Sequence, residues 1–133
     1  MKVQILTYVL GEDPKKVVLD KVSADVEKID VYGSRVLIAT APTPDRSKGG
    51  IMFADKTKDE GRFQGKVGLI LKMGASAFKY NGQYEWEGGK PKVGDWVFYR
   101  NADTQECGIS EASCRIIYDD LIIGKVSDPE VIW

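Results

Sequence analysis

Histidine is absent from the 133 residues of this chain, and that gap removes a wide range of chemistry. Without an imidazole there is no Ser-His-Asp or Cys-His arrangement to activate a nucleophile, which leaves only carboxylates and lysine amines for catalysis. The expectation is a protein that is not an enzyme. Cysteine is nearly as scarce. The two present, Cys107 and Cys114, lack CxxC spacing, and with no histidine the usual nitrogen and sulfur metal sites are out of reach. Both read as structural thiols, with no metal and no cofactor expected.

Long apolar runs are also missing. None approaches the roughly 18 residues that cross a bilayer, and the opening MKVQILTYVL lacks the basic start and small-residue cleavage site of a secretory signal. The predicted setting is reducing cytoplasm, without a membrane partner. An excess of one charge is lacking too: 19 basic and 20 acidic residues give a net charge of -1 and are interspersed along the chain. No basic stripe is available for a phosphate backbone, so nucleic acid is not an expected partner.

What is present suits one soluble domain with a real core: 43% of residues are apolar and 29% charged. Lys2 to Leu10 is apolar on both alternating faces, which predicts a buried strand. Asp13-Pro14 then fits an N-cap and first helical position, followed by Val18, Val22, Val26 and Ile29 at helical spacing. A short amphipathic helix is predicted, although the β-branched valines leave a second strand open as the alternative.

From Val31 the texture changes to short apolar runs punctuated by turns: Arg35 to Thr40, Lys66 to Met73, Trp96 to Arg100, Cys114 to Tyr118 and Leu121 to Val126. This is an all-β rhythm and points to a small barrel. In Lys66 to Met73, Val67, Leu69, Leu71 and Met73 share one face and are expected in the core, with Gly68, Ile70 and Lys72 facing outward. Phe78 to Trp86 reads as a hairpin turning at Asn81-Gly82, because a type I′ turn needs the positive φ angles that Asn-Gly supplies. Phe78 would then pair with Glu85, and Tyr84 and Trp86 would lie on the opposite face. Aromatics split in this way suit hairpin packing better than a base-stacking platform. Gly94-Asp95 reads as a tight turn into the strand that follows.

Between the first two barrel strands lies a long, mostly polar segment, Ala41 to Gly65, with an apolar tripeptide, Ile51-Met52-Phe53, directly after Gly49-Gly50. Connections of this length without regular periodicity are uncommon in a compact domain and usually carry binding function.

The order Ser34-Arg35-Val36-Leu37-Ile38, Gly49-Gly50-Ile51-Met52-Phe53, Gly65-Lys66-Val67, Gly74 and Lys92-Val93-Gly94-Asp95-Trp96-Val97-Phe98 resembles the chaperonin-10 family, the GroES co-chaperonins. The closing Tyr118 to Val126 is similar to that family's last strands, so the resemblance spans about 31 to 126. The KVGD tetrapeptide also occurs in medium-chain alcohol dehydrogenases. Those need a nucleotide-binding half and metal ligands for which this chain has neither the room nor the residues.

The resemblance implies a mainly β, GroES-like barrel at 31–126, with a binding loop at 41–65 and a hairpin at 76–90, preceded by a strand-plus-helix extension at 1–30 and followed by a tail at 127–133. It further implies a homo-oligomeric ring, a heptamer in the family, that closes a GroEL-like chaperonin ring. Ile51, Met52 and Phe53 would fill a groove at the ring's rim and Gly49 and Gly50 would let the backbone bend toward it. The alternative for the tripeptide is packing beneath its own loop. Asn81 and Gly82 would correspond to the hairpin that roofs the dome. Burying three large apolar side chains gains roughly 1.5 to 3 kcal/mol each, while ordering about eight residues costs about 1 to 2 kcal/mol apiece. One loop should therefore bind barely at all, and useful affinity requires several presented together.

The chain departs from the family pattern in three places. It carries about thirty residues before the barrel, ends in an apolar cluster, Val131-Ile132-Trp133, that fits either a partner or self-packing, and shows no evident acidic motif in Gln105 to Arg115. With these additions the whole chain looks most like the GroES-like proteins encoded by tailed bacteriophages. Two roles follow: a co-chaperonin in the host cytoplasm, or a virion protein that binds capsid protein as a decoration or cement.

Overall fold

Asp13 sets the start of the helix that the spacing predicts. In the computed structural model, which describes residues 6–9, 11–44, 67–78, 90–100, 105–110 and 112–128, Asp13 is extended and its side chain accepts the Lys15 backbone N–H at 3.0 Å. Pro14 takes the first helical position, where its missing N–H leaves no bond unmade. Helix α1 runs Pro14–Val26 and buries Val18, Val22 and Val26, with Ile29 packed against the same cluster just beyond its end. Burial of the valine stripe outweighs the helix penalty of β-branching, so the strand alternative for this segment does not hold.

The strand expected over Lys2 to Leu10 is shorter. Among the described residues only Thr7–Tyr8 forms β1. At Val9 the backbone N–H donates to the Glu12 side chain at 2.8 Å and the carbonyl accepts from the Glu12 N–H at 3.0 Å, which closes a turn directly after β1.

The remaining strands are β2 (Arg35–Thr40), β3 (Thr43–Pro44), β4 (Val67–Met73), β5 (Trp96–Tyr99), β6 (Gln105–Ile109), β7 (Ala112–Tyr118) and β8 (Ile122–Val126), with a 3₁₀ turn at Asp119–Leu121 before the last. Six of them form one sheet in the order β6-β7-β2-β4-β5-β8, antiparallel throughout, while β1 and β3 pair in parallel as a separate ladder. The mainly β class expected of a small GroES-like barrel is what the structure has. Two strands, β3 and β6, were not anticipated.

Both faces of the sheet are buried. On one, α1 covers Leu37, Ala39, Val67, Leu69, Leu71, Trp96, Ile109, Ala112 and Cys114. On the other, Val36, Ile38, Ile70, Val97, Tyr99, Ile117 and Ile122 surround Ala77 and Phe78. This corrects the expected outward and inward assignments of β4. Ile70 is not outward but wholly buried in the second core, and Met73 packs against that second core and not with Val67, Leu69 and Leu71. Ile70 alternates with Leu69 and Leu71 as expected, but the face it points to is covered as well. For Met73 the reason is a bulge: Leu37 pairs with Lys72 but Ile38 with Ile70, so one residue of β4 is unmatched and the alternation flips beyond it. Lys72 is thereby turned toward α1, where its ammonium donates to the Ile29 carbonyl at 2.5 Å.

Gly68 is not outward either. It is buried in the sheet, where a Cβ would lie 3.0 Å from the Ala39 carbonyl oxygen, 3.1 Å from Ile38 Cδ1 and 3.2 Å from Tyr99 Cε1. At Gly74 the approach is closer still, with the Gly33 carbonyl oxygen 2.2 Å from where a Cβ would be. The Gly74 N–H bonds the Arg35 carbonyl and the Ser76 N–H the Gly33 carbonyl, so the two segments run backbone against backbone.

Candidate functional site

The residues expected to meet a partner, Gly49, Gly50, Ile51, Met52 and Phe53, lie outside the described residues, as do Asn81 and Gly82 of the hairpin turn and Val131, Ile132 and Trp133 of the tail. What the structure describes is how the sheet holds the roots of these segments. The long segment leaves the sheet at the end of β2 and re-enters at β4. Its two roots are joined where the Ala41 N–H donates to the Val67 carbonyl at 3.0 Å. The first four residues of the expected 41–65 loop are in fact part of the folded body: Ala41 and Pro42 are buried, and Thr43–Pro44 is β3, paired with Thr7–Tyr8 of the N-terminal extension. Tyr8 is itself buried. The extension thus grips the root of the segment that carries the tripeptide.

Beside these roots is a polar cluster. The Thr40 and Ser113 hydroxyls, on paired strands, are 3.2 Å apart, and Arg115 reaches the Glu106 carboxylate at 3.7 Å. Tyr99 lies across Gly68 with its hydroxyl buried. Burial pushes that hydroxyl's pKa up, against the opposing pull of the nearby Thr40 and Arg115.

The expected hairpin also has described roots. Its first residue, Phe78, is not in a strand facing Glu85 as the Asn-Gly register implied. It ends a turn over 75–78 with φ +58° and is buried in the second core. Its N–H donates to the buried Asp119 carboxylate at 2.9 Å, and this anchoring outweighs strand pairing at that position. On the return side, Gly94 has φ +94° and the Asp95 N–H closes on the Lys92 carbonyl at 3.0 Å, the tight turn that Gly94-Asp95 suggested. The Asp95 carboxylate accepts the Lys92 N–H at 3.0 Å and lies 3.8 Å from the Lys125 ammonium. The turn is also bonded to β4 through Gly94 to Ile70 and Ile70 to Asp95.

The stretch Gln105 to Arg115, where no acidic motif was evident, forms the β6–β7 hairpin with Ser110 at φ +50°. Its turn is tied to the helix by the Ser110 hydroxyl, which donates to the Asp25 carboxylate. Among the described residues β6 and β8 are the sheet's two edges, and Ile123 on β8 is exposed. Among the described residues no group of three or more acidic or sulfur side chains is placed to hold a metal. No helix there is long and apolar enough to cross a membrane.

Sequence reasoning named the tripeptide and its glycines, which lie outside the described residues, and missed β1–β3, the contact that fixes the root of their segment. A Thr-Pro pair carries no strand pattern, and its partner is distant in sequence. No curated protein matches the chain. The model of the chaperonin 10 Kd subunit family matches residues 28–126, which takes in β2 to β8 and both roots of the long segment. The chain belongs to that family.

Proposed function

We propose that this protein is an oligomeric co-chaperonin of the kind tailed phages encode, which docks on a GroEL-like ring through the segment carrying Ile51-Met52-Phe53 and closes the folding chamber. The observation that carries this reading is the family match over residues 28–126, within which the glycine-flanked tripeptide sits between roots bonded to each other at Ala41 and Val67. An apolar triplet on a tethered segment can fill a hydrophobic groove. The docking is weak per copy and depends on several copies bound at once.

Replacing Ile51, Met52 and Phe53 together with serine tests the docking. Binding to a chaperonin ring in the presence of nucleotide should fall below detection, and binding that persists would overturn the assignment of the segment.

A second reading, a capsid decoration protein on the same scaffold, draws on the residues outside the family match, because β1 and α1 enlarge the body beyond what the match contains. Mass spectrometry of purified particles separates the two. A structural protein would be present in many copies per virion, whereas a co-chaperonin would be absent from mature particles.

A further inference from the structure

Cys107 and Cys114, read from their spacing as separate structural thiols, are cross-strand partners. The β6–β7 register runs Ile109 to Ala112, Gly108 to Ser113 and Cys107 to Cys114. Directly opposed residues on antiparallel strands have Cα atoms about 4.5 to 5.5 Å apart, inside the window of roughly 4.4 to 6.8 Å that a disulfide spans. Their side chains also leave the sheet on the same side. The packing agrees, since Cys114 belongs to the core beneath α1 and Cys107 packs against that same core. Both are free thiols, Cys114 fully buried and Cys107 partly open to solvent.

We propose that Cys107 and Cys114 are a redox modification site, a dithiol that closes to an intramolecular disulfide by exchange with a small-molecule disulfide such as glutathione disulfide. Cys107 is the point of entry because solvent reaches it. Its thiolate attacks one sulfur of the oxidant, forming a mixed disulfide and expelling one glutathione thiolate. Cys114 then gives up its proton and attacks the Cys107 sulfur, expelling the second glutathione. The protein loses two protons and two electrons, and the oxidant is reduced to two thiols. Burial and the Glu106 carboxylate push the Cys107 thiol up, and burial with the neighbouring Cys107 pushes Cys114 up. Both steps are therefore slow at neutral pH, while the end point is unaffected. Closure ties the edge strand β6 covalently to β7, in the hairpin whose turn is bonded to α1 through Ser110 and Asp25.

The test uses the full chain, reduced, desalted and incubated under native conditions with excess glutathione disulfide until no further change occurs. The expected result is a loss of mass equal to two hydrogens, a fall from two titratable thiols to none, a linked Cys107–Cys114 peptide after digestion, and full reversal by dithiothreitol. Two thiols still titrating after unfolding, a stable glutathionyl adduct that never resolves, or a disulfide joining two chains would each overturn the proposal. Two variants assign the order. Cys114→Ser should accumulate the glutathionyl adduct on Cys107. Cys107→Ser should leave the buried Cys114 unmodified, and an adduct there at the wild-type rate would contradict the entry role of Cys107. None of these outcomes depends on docking to a ring.

Discussion

The two faces of the six-stranded sheet are both cores, but they are built differently. The face lined by Val36, Ile38, Ile70, Val97, Tyr99, Ile117 and Ile122 is closed by the sheet's own connections, with Ala77 and Phe78 filling its centre. The face lined by Leu37, Ala39, Val67, Leu69, Trp96 and Ile109 is closed by Val18, Val22 and Val26 of α1. Those three valines lie outside the family match at 28–126. The comparison teaches that the N-terminal extension is part of the folded body. Without it, one face of the sheet would present a contiguous apolar patch to water, and β3 would lose its only partner strand among the described residues.

The largest effect is expected from putting a charge where the extension closes its face. Val22→Asp buries a carboxylate without a partner and should cost more than about 4 kcal/mol, enough to abolish cooperative unfolding in a urea titration followed by circular dichroism. An exposed change two residues away on the other side of the helix, such as Asp20→Ala, should stay within about 0.5 kcal/mol. If Val22→Asp unfolds like wild type, α1 does not close the core.

Next in size is a paired test of whether the second face is a core at all. Leu69→Ala and Ile70→Ala remove adjacent side chains that point to opposite faces, and each should cost about 2 to 5 kcal/mol. A sheet with that face open to solvent would make Ile70→Ala nearly silent. The cost of Ile70→Ala beside that of Leu69→Ala therefore reads whether the second face is covered.

A smaller effect comes with pH. Burial, reinforced by Cys107, pushes the Cys114 thiol from 9.0 up to about 12. Below pH 9 the thiol is protonated in both folded and unfolded chains and costs nothing. Between pH 9 and 12 the unfolded chain releases a proton that the folded one keeps, so stability is lost as pH rises through that range. With reductant present, Cys114→Ala should flatten that part of the stability profile, and an unchanged slope would show that the thiol is not held in the core.

Much of this architecture is legible in local chemistry. The Asp13-Pro14 start, the valine stripe of α1, the span Arg35–Thr40 and the Gly94 turn each depend on residues close in sequence, so the signal is local and survives folding. What was not legible depends on partners far along the chain. Strand β6, Gln-Glu-Cys-Gly-Ile, is a mixed run that becomes a strand because β7 and α1 pack on it. The facing of Met73 is decided by a bulge that alternation cannot register, and the burial of Ile70 by residues distant in sequence that cover the second face. Phe78 looked like a strand residue because it precedes Asn-Gly, yet the Asp119 carboxylate captures its N–H and holds it in the second core. Among the candidate site residues, Gly49 to Phe53 are readable as a motif. How their segment is rooted, by Thr7–Tyr8 against Thr43–Pro44, is a non-local pairing with no sequence signature.

Central to the account is the claim that the apolar triplet acts only in multiple copies, on a chaperonin ring. Sedimentation of the purified protein, alone and with a GroEL-like ring plus nucleotide, addresses it most directly. The account predicts an oligomer in the first case and co-sedimentation with the ring in the second. A monomer that binds the ring with full affinity, or an oligomer that never associates with it, would contradict the claim.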